Sequence, residues 1–376
     1  MSVYQYYFKR WLAYLCGCME ISLSQRFSRP VAVWLLVGVA MIIIQVLLGG
    51  ITRLTGSGLS ITEWKPIMGT LPPLNDQDWN TAFEKYKQIA QYKYVNSHFG
   101  LSDFKFIFFW EWFHRLWARL IAVAFAIPFI IFIIQKRFKK EMIKPMLILF
   151  LLGALQGLVG WIMVQSGLED SKLIYVSHYK LAIHFGLALG LLCYTLWFAF
   201  DLLIPKEQLV INKPLRKFTG WLIALLIIQL IYGAFMAGLK AATAAPTWPM
   251  MNGVWFPENI HSFGNRNFLG LSFLTDNPLM VHFIHRCIAY IITALVFIWF
   301  WKANRIKGTT LFKKTKVLPL LLVLLQVVLG VLTVLHAAIP HSFLWLAVAH
   351  QFVAMLLLLS LLWMLYVVRV KSSITV

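Results

Sequence analysis

The chain has 376 residues, of which 60% are apolar and 13% charged, and a formal net charge of +20. Soluble domains run at roughly 45–50% apolar and about 25% charged, so a water-soluble globule, a nucleic-acid-binding domain and a disordered chain are excluded. A mean hydropathy of +0.75 agrees, and in so apolar a chain the basic excess marks loops held on one side of a membrane.

A spanning helix needs about 20 apolar residues. Eight runs qualify: Val31–Gly50, Phe106–Gln135, Pro145–Gln165, Ser177–Phe200, Thr219–Leu239, Val281–Trp301, Val317–His336 and Phe343–Val368. The expected fold is an all-α integral membrane protein with eight transmembrane helices. The second run is long enough to project from the bilayer or tilt. Ahead of the first run, Trp11–Met19 is too short to span, and residues 1–30 read as a membrane-surface segment. Cys16, Cys18, Cys193 and Cys287 form no CxxC. Cys193 and Cys287 lie inside apolar runs and read as buried thiols.

The links sort by charge. Three are strongly basic, around Lys136–Lys144, Lys206–Lys217 and Lys302–Lys316, and both ends of the chain are basic too. The positive-inside rule places these in the cytoplasm or matrix, with both termini inside, and turns the Gly50–Lys105 and Lys240–Met280 links outward.

The runs repeat. The odd ones carry Gln-x-x-x-Gly (Gln45/Gly49, Gln156/Gly160, Gln229/Gly233, Gln326/Gly330) and the even ones carry His114, His184, His285 and His350. Between halves these landmarks shift by 184 (Gln45 to Gln229), 171 (His114 to His285), 170 (Gln156 to Gln326) and 166 (His184 to His350). The pattern predicts two tandem four-helix units in parallel orientation, 31–205 and 206–376. The plain reading of Gln-x-x-x-Gly is helix packing through a small residue and an amide; orientation of a cofactor edge is the alternative.

At about 1.5 Å per residue, the four histidines lie roughly 24–31 Å from the inner ends of their runs, all toward the outer face. Each unit therefore offers two imidazoles from facing helices at one level. Zinc generally takes three or four protein ligands. Two imidazoles in an aromatic-rich bundle suit haem iron, one on each axial side. Arg115 and Arg286, each following a His, could pair with propionates. His98, His261, His336 and His341 read as ordinary surface residues, and His178 as similar. His282, one turn from His285, is ambiguous. Glu111 breaks the symmetry, since it precedes His114 where the second unit has His282. An intramembrane acid is costly and usually functional. It reads either as an ion-pair partner of Arg115 or as a proton-handling group beside a reacting ligand.

At these residues the chain resembles the haem A synthase family, from about Pro30 to Val368. The resemblance rests on GGITRLTGSGLSITEWKPIMGTLPPL at 49–74, WEWFHR at 110–115, VSHYKLAIH at 176–184, TWPMMNG at 247–253, VHFIHR at 281–286 and HQ at 350–351. It departs from the family pattern at Lys240-Ala-Ala, Pro246 and His282, and lacks the outer-loop cysteine pairs of some members. The resemblance implies conversion of haem O to haem A by oxidation of a ring methyl to a formyl group. Haem b would sit on His285 and His350, and the substrate haem near Glu111, His114 and His184.

An iron with two imidazoles has no open position. Either one His of the first pair leaves, His184 being the looser because no Arg follows it, or the oxidation does not run through that position. A membrane cytochrome b serving only electron transfer is the rival class, and a haem transporter a third. The expected partners are haem O, a membrane enzyme that makes it, an electron acceptor, the bilayer and a second copy of the chain. No clear Arg/Ser-rich leader is seen, which favours a bacterial plasma membrane, with the haem sites toward its outer face.

Overall fold

The computed structural model describes residues 23–63, 68–168, 174–257 and 260–370. The surface segment expected at Trp11–Met19 lies outside them, as do Cys16 and Cys18. Eight helices are long and apolar enough to cross a bilayer. They are α1 (Leu23–Leu54), α2 (Leu101–Ile134), α3 (Lys140–Gln165), α4 (His178–Leu203), α5 (Lys213–Leu239), α6 (Pro278–Asn304), α7 (Leu318–Leu335) and α8 (Pro340–Val367).

Most helices extend a few residues beyond the apolar runs, because polar caps and prolines rather than hydropathy set the ends. Asn212 caps α5, accepting from the Leu215 amide, and Asn277 caps α6, accepting from Leu279 and Met280. A proline stands in the first turn of α5, α6, α7 and α8, where its missing N–H costs nothing. Pro30 instead sits inside α1, which begins at Leu23 and so absorbs the end of the expected 1–30 segment. Lys240 ends α5 in the left-handed conformation (φ 53°).

The two halves repeat one neighbour pattern. In the first, α1 packs on α2 and α4, and α3 on α4; in the second, α5 packs on α6 and α8, and α7 on α8. Helices α1, α4, α5 and α8 also pack across the halves and form the centre. The main core follows them, through Leu192, Leu222, Val296, Trp299, Leu357 and Leu361. The inner ends of α1, α2 and α3 are pinned by rings: Trp34 stacks on Phe125 at 4.6 Å, and Phe150 meets Phe125 at 4.8 Å and Phe129 at 4.7 Å.

The second span projects rather than only tilting. Its 34 residues make about 51 Å, well beyond a hydrocarbon core of about 30 Å. The excess is covered: a helix at Asp76–Lys87 and a short one at Ala90–Tyr94 lay Phe83, Tyr86 and Trp79 against Phe104 and Phe108 of α2. Asn96 Nδ2 donates to Tyr86 Oη at 2.7 Å, and Gln91 Nε2 donates to the Gly56 carbonyl at 3.0 Å. The loop is thereby tied to the end of α1.

Candidate functional site: four clamped histidines and one carboxylate

Each Gln-x-x-x-Gly pair holds one of the four histidines on the next helix. Gln45, Gln156 and Gln229 donate their amides to the backbone carbonyls of His114 (3.2 Å), His184 (3.2 Å) and His285 (3.0 Å). Gln326 Nε2 lies 3.2 Å from the His350 ring. The glycine of each pair leaves room for the ring. A Cβ at Gly49, Gly160, Gly233 or Gly330 would stand 3.3, 2.7, 3.4 or 3.0 Å from the nearest atom of His114, His184, His285 or His350. The packing reading of the motif is thus correct, and what it packs is the imidazole.

The rings are held but not satisfied. The Nδ1 atoms of His184, His285 and His350 and the Oε1 atoms of all four glutamines are buried without a hydrogen-bond partner. Buried polar atoms left unpaired cost about 1–3 kcal/mol each, so seven of them around four imidazoles suit a site completed by a ligand. Among the described residues, no three His, Cys, Asp or Glu side chains gather to hold a bare metal ion; the donors come in twos. His285 and His350 have ring centroids 6.5 Å apart. Two imidazoles bound to one metal at about 2 Å put their centroids roughly 6–6.5 Å apart, so this pair fits a bis-imidazole iron. His114 and His184 hold the corresponding places in the first half, each against the glycine of its own clamp.

Glu111 is 2% exposed. Its Oε2 accepts from Ser60 Oγ at 2.7 Å and from the Ile61 amide at 2.9 Å, and its Oε1 accepts from Arg115 Nη2 at 2.5 Å. The ion pair with Arg115 therefore exists, beside two further donors from the first outer loop. Arg115 also donates to the carbonyls of Ile61 (3.1 Å) and Glu63 (3.4 Å). Arg286 does the equivalent in the other half. Its Nε donates to His282 Nε2 at 2.9 Å, and its Nη atoms reach the carbonyls of Ala245 (3.1 Å) and Thr247 (2.6 Å). Both arginines thus tie an outer loop over a histidine pair. His282, fully buried, is the counterpart of Glu111 in place and in partner.

Sequence reasoning missed the ties between halves. Arg53 Nη2 donates to the Gly238 carbonyl at 2.8 Å and lies over the Tyr175 ring, and Lys240 Nζ donates to Tyr175 Oη at 2.6 Å. His178 is not an ordinary surface residue: it packs on Gly238 and lies 2.9 Å from Asp276 Oδ1. Gly238, which leaves the space for it, was the available signal. His98, His261 and His341 are exposed as expected, while His336 is half-buried, with Nδ1 2.9 Å from the Leu332 carbonyl. Cys193 and Cys287 are free and half-buried.

These features define a class: an eight-helix integral membrane protein with two histidine pairs at repeated positions, one of them beside a buried carboxylate. Residues 32–362 match the family model of COX15-CtaA, the cytochrome oxidase assembly protein. Curated relatives are the heme A synthases of Flavobacterium psychrophilum (42% identical, covering 88% of this chain and 96% of that one), Nitrosospira multiformis (41%; 92% and 96%) and Rhodospirillum centenum (40%; 92% and 90%). The chain belongs to the haem A synthase family.

Proposed function

We propose that this protein oxidises one ring methyl of haem O to the formyl group of haem A, with the substrate in the first unit (31–205) and haem b in the second (206–376). The observation that carries this reading is the histidine clamp, repeated four times and differing between halves at one point, the carboxylate of Glu111 against the imidazole of His282. A carrier of electrons alone has no use for that difference.

In this reading His285 and His350 hold haem b, which when bound supplies one-electron redox chemistry. His114 and His184 would hold the substrate haem. Glu111, one turn from His114 on the same helix face, takes and returns protons. Ser60 Oγ, hydrogen-bonded to its carboxylate, leads from it toward the outer loop. Such acid–base help is typically worth 10²–10⁴-fold. Arg115 and Arg286, each one residue beyond a histidine of its pair, spend their donors on loop carbonyls and so hold a loop beside each pair.

If the formyl oxygen comes from water, the four electrons and four protons released by the methyl pass to a separate acceptor; if it comes from dioxygen, the dioxygen is itself the oxidant and is reduced to water. The substrate is apolar, so it arrives through the bilayer from a membrane enzyme that makes haem O, and a second copy of the chain is a further partner. The bacterial relatives and the basic links support a multi-pass protein of the bacterial inner membrane, with the haem pairs toward its outer face. Pigment extraction after co-expression with a haem O source tests the reading. Hydroxylated or formyl haem is expected; haem O recovered unchanged beside haem b would make the protein a cytochrome.

A further inference from the structure

The second outer link does not stand clear of the helices. Two of its rings lie on the flank of α6: Trp248 Nε1 donates to Tyr290 Oη at 3.1 Å, and the Phe256 ring meets that of Phe283 edge-on at 5.2 Å. Phe283, Tyr290 and Phe297 follow one another at seven-residue steps and so share one face of α6. Tyr290 and Phe297 are exposed there, whereas Ile292 and Trp299, at the same steps from His285, are buried. The link therefore leans on the side of α6 turned away from the bundle and from His285.

Depth follows from helical rise. Trp301 is exposed, with Arg305 Cζ 3.7 Å from its ring centroid, and marks the inner interface, where aromatic and basic side chains gather. Along the helix Tyr290 lies about 16 Å from it and Phe283 about 27 Å, both within a hydrocarbon core of about 30 Å. Trp248 and Phe256 thus stand at the level of the outer leaflet.

The segment is built for that level. From Thr247 to Phe256 it reads TWPMMNGVWF, without a charge. Its large side chains face outward: Trp248, Met250, Trp255 and Phe256 are exposed, Trp255 at 72%. Its polar groups face inward. Arg286 donates to the carbonyls of Ala245 and Thr247. Asn252 Nδ2 donates to the Ala244 carbonyl at 3.0 Å, Thr247 Oγ1 to the Met250 carbonyl at 2.9 Å, and the Asn252 amide to Thr247 Oγ1 at 2.7 Å. Met251 and Val254 exchange backbone bonds at 2.8 and 3.3 Å across an Asn252–Gly253 turn with both φ positive, and Pro246 and Pro249 have no N–H to satisfy. A loop in water has no need of this inversion. Irregular backbone at membrane depth does, being tolerated only where the protein supplies its partners. The first unit repeats the contact: Trp112, the counterpart of Phe283 by the shift of 171, donates to the Thr70 carbonyl at 2.9 Å, beside the exposed Leu71 and Leu74.

We propose that residues 247–256 are seated in the outer leaflet of the bilayer, with Trp248, Met250, Trp255 and Phe256 among the lipid headgroups and upper acyl chains. Lipid then holds down the loop that Arg286 ties over the second histidine pair. Tyr290 lies well inside the hydrocarbon core, so a protein arriving from the aqueous side does not reach the Trp248 ring upon it. The seat depends on the fold and not on which ligand the histidines take.

Two readouts test it. Met250→Cys, Trp255→Cys and, as a water-facing control, Glu84→Cys are treated with a membrane-impermeant maleimide in lipid nanodiscs, and the wild-type signal from the native cysteines is subtracted. Labelling at 250 and 255 is expected to run roughly tenfold or more slower than at 84, since apolar surroundings disfavour the reactive thiolate. In parallel, p-benzoylphenylalanine is placed at Met250 or at Trp255, native membranes are irradiated, and the purified protein is weighed by mass spectrometry. A phospholipid adduct is expected at both positions. Labelling as fast as at 84 overturns the seat, and so does the absence of a lipid adduct. An adduct to another protein, or to a second copy of the chain, means that protein covers this face and overturns it too. Phe256, exposed on the same segment, replaces either position whose variant unfolds at a lower temperature than wild type.

Discussion

Glu111 and His282 occupy the same place in the two halves, and each accepts from the arginine one turn later: Arg115 Nη2 to Glu111 Oε1 at 2.5 Å, Arg286 Nε to His282 Nε2 at 2.9 Å. The arginine's work of anchoring an outer loop is common to both. The negative charge is not, and Glu111 alone gathers a second and third donor, from Ser60 and Ile61.

Replacing Glu111 separates its roles. Glu111→Ala would leave Arg115 without its carboxylate, and Ser60 and the Ile61 amide without their acceptor, and would confound catalysis with folding. Glu111→Gln keeps the side chain's shape and one acceptor oxygen, for Arg115 or for Ser60 and Ile61 but not for both, and cannot exchange a proton. Formyl haem output is expected to drop about 10²–10⁴-fold, with haem b content intact. Haem extraction beside the low-spin absorption band gives both numbers, and unchanged haem A output would remove the proton-handling role.

The glycine clamps predict a graded series within one histidine pair. A Cβ at Gly330 would stand 3.0 Å from His350 Cε1, tighter than an ordinary contact, while one at Gly233 would stand 3.4 Å from His285 Cε1. Gly330→Ala should therefore push the His350 ring and cost about 1–3 kcal/mol, reducing haem b per protein. Gly233→Ala should leave haem b near its wild-type level. Equal loss in both variants would mean the glycines serve general packing instead.

The spans, the repeat and the four histidines were legible because each depends on a local signal: twenty apolar residues, a fixed motif, a polar ring in an apolar run. The Glu111–Arg115 pair was legible for the same reason, as i and i+4 neighbours on one helix. What the sequence did not disclose were partners distant in the chain. Ser60 lies 51 residues from Glu111, and Arg53 reaches Gly238 across 185. The arginines were read as partners for propionates, yet here their donors go to loop carbonyls. An irregular loop must place its polar groups somewhere, and hydropathy does not say where.

The outer loop carries its own pH dependence. Burial pushes the Tyr86 phenol up to about 12, against the pull of the Asn96 hydrogen bond. A phenol raised in the folded state contributes stability that is whole below its unfolded pKa of about 10 and is lost as pH climbs toward the folded value. The loop should therefore open between about pH 10 and 12, seen as accelerated proteolysis within 56–100. Tyr86→Phe should open the loop at neutral pH by losing the Asn96 bond, worth about 1 kcal/mol. It should also flatten the alkaline rise; a rise as steep as in wild type would place its origin elsewhere.

Gln351, next to His350, crosses between halves: its Nε2 donates to the Val46 carbonyl at 2.8 Å, and its side chain fills the space that a Cβ at Gly50 would need. Gly49, one residue earlier, faces His114, so two adjacent glycines of α1 face a histidine of the first pair and the neighbour of a histidine of the second. The matching junction of α4 on α5 is apolar, with Phe185 packed on the cluster of Ala182, Ala234, Phe235 and Val281. Gly50→Ala should cost about 1–3 kcal/mol by overpacking, and Gln351→Ala about 1 kcal/mol through the lost hydrogen bond. Because the two changes act on one contact, they should not add. With the amide gone, alanine at 50 has room, and the double variant should recover about 1 kcal/mol or more of the sum. Thermal unfolding of the four proteins in one detergent measures the cycle, and strict additivity would show that Gly50 is small for a reason other than Gln351.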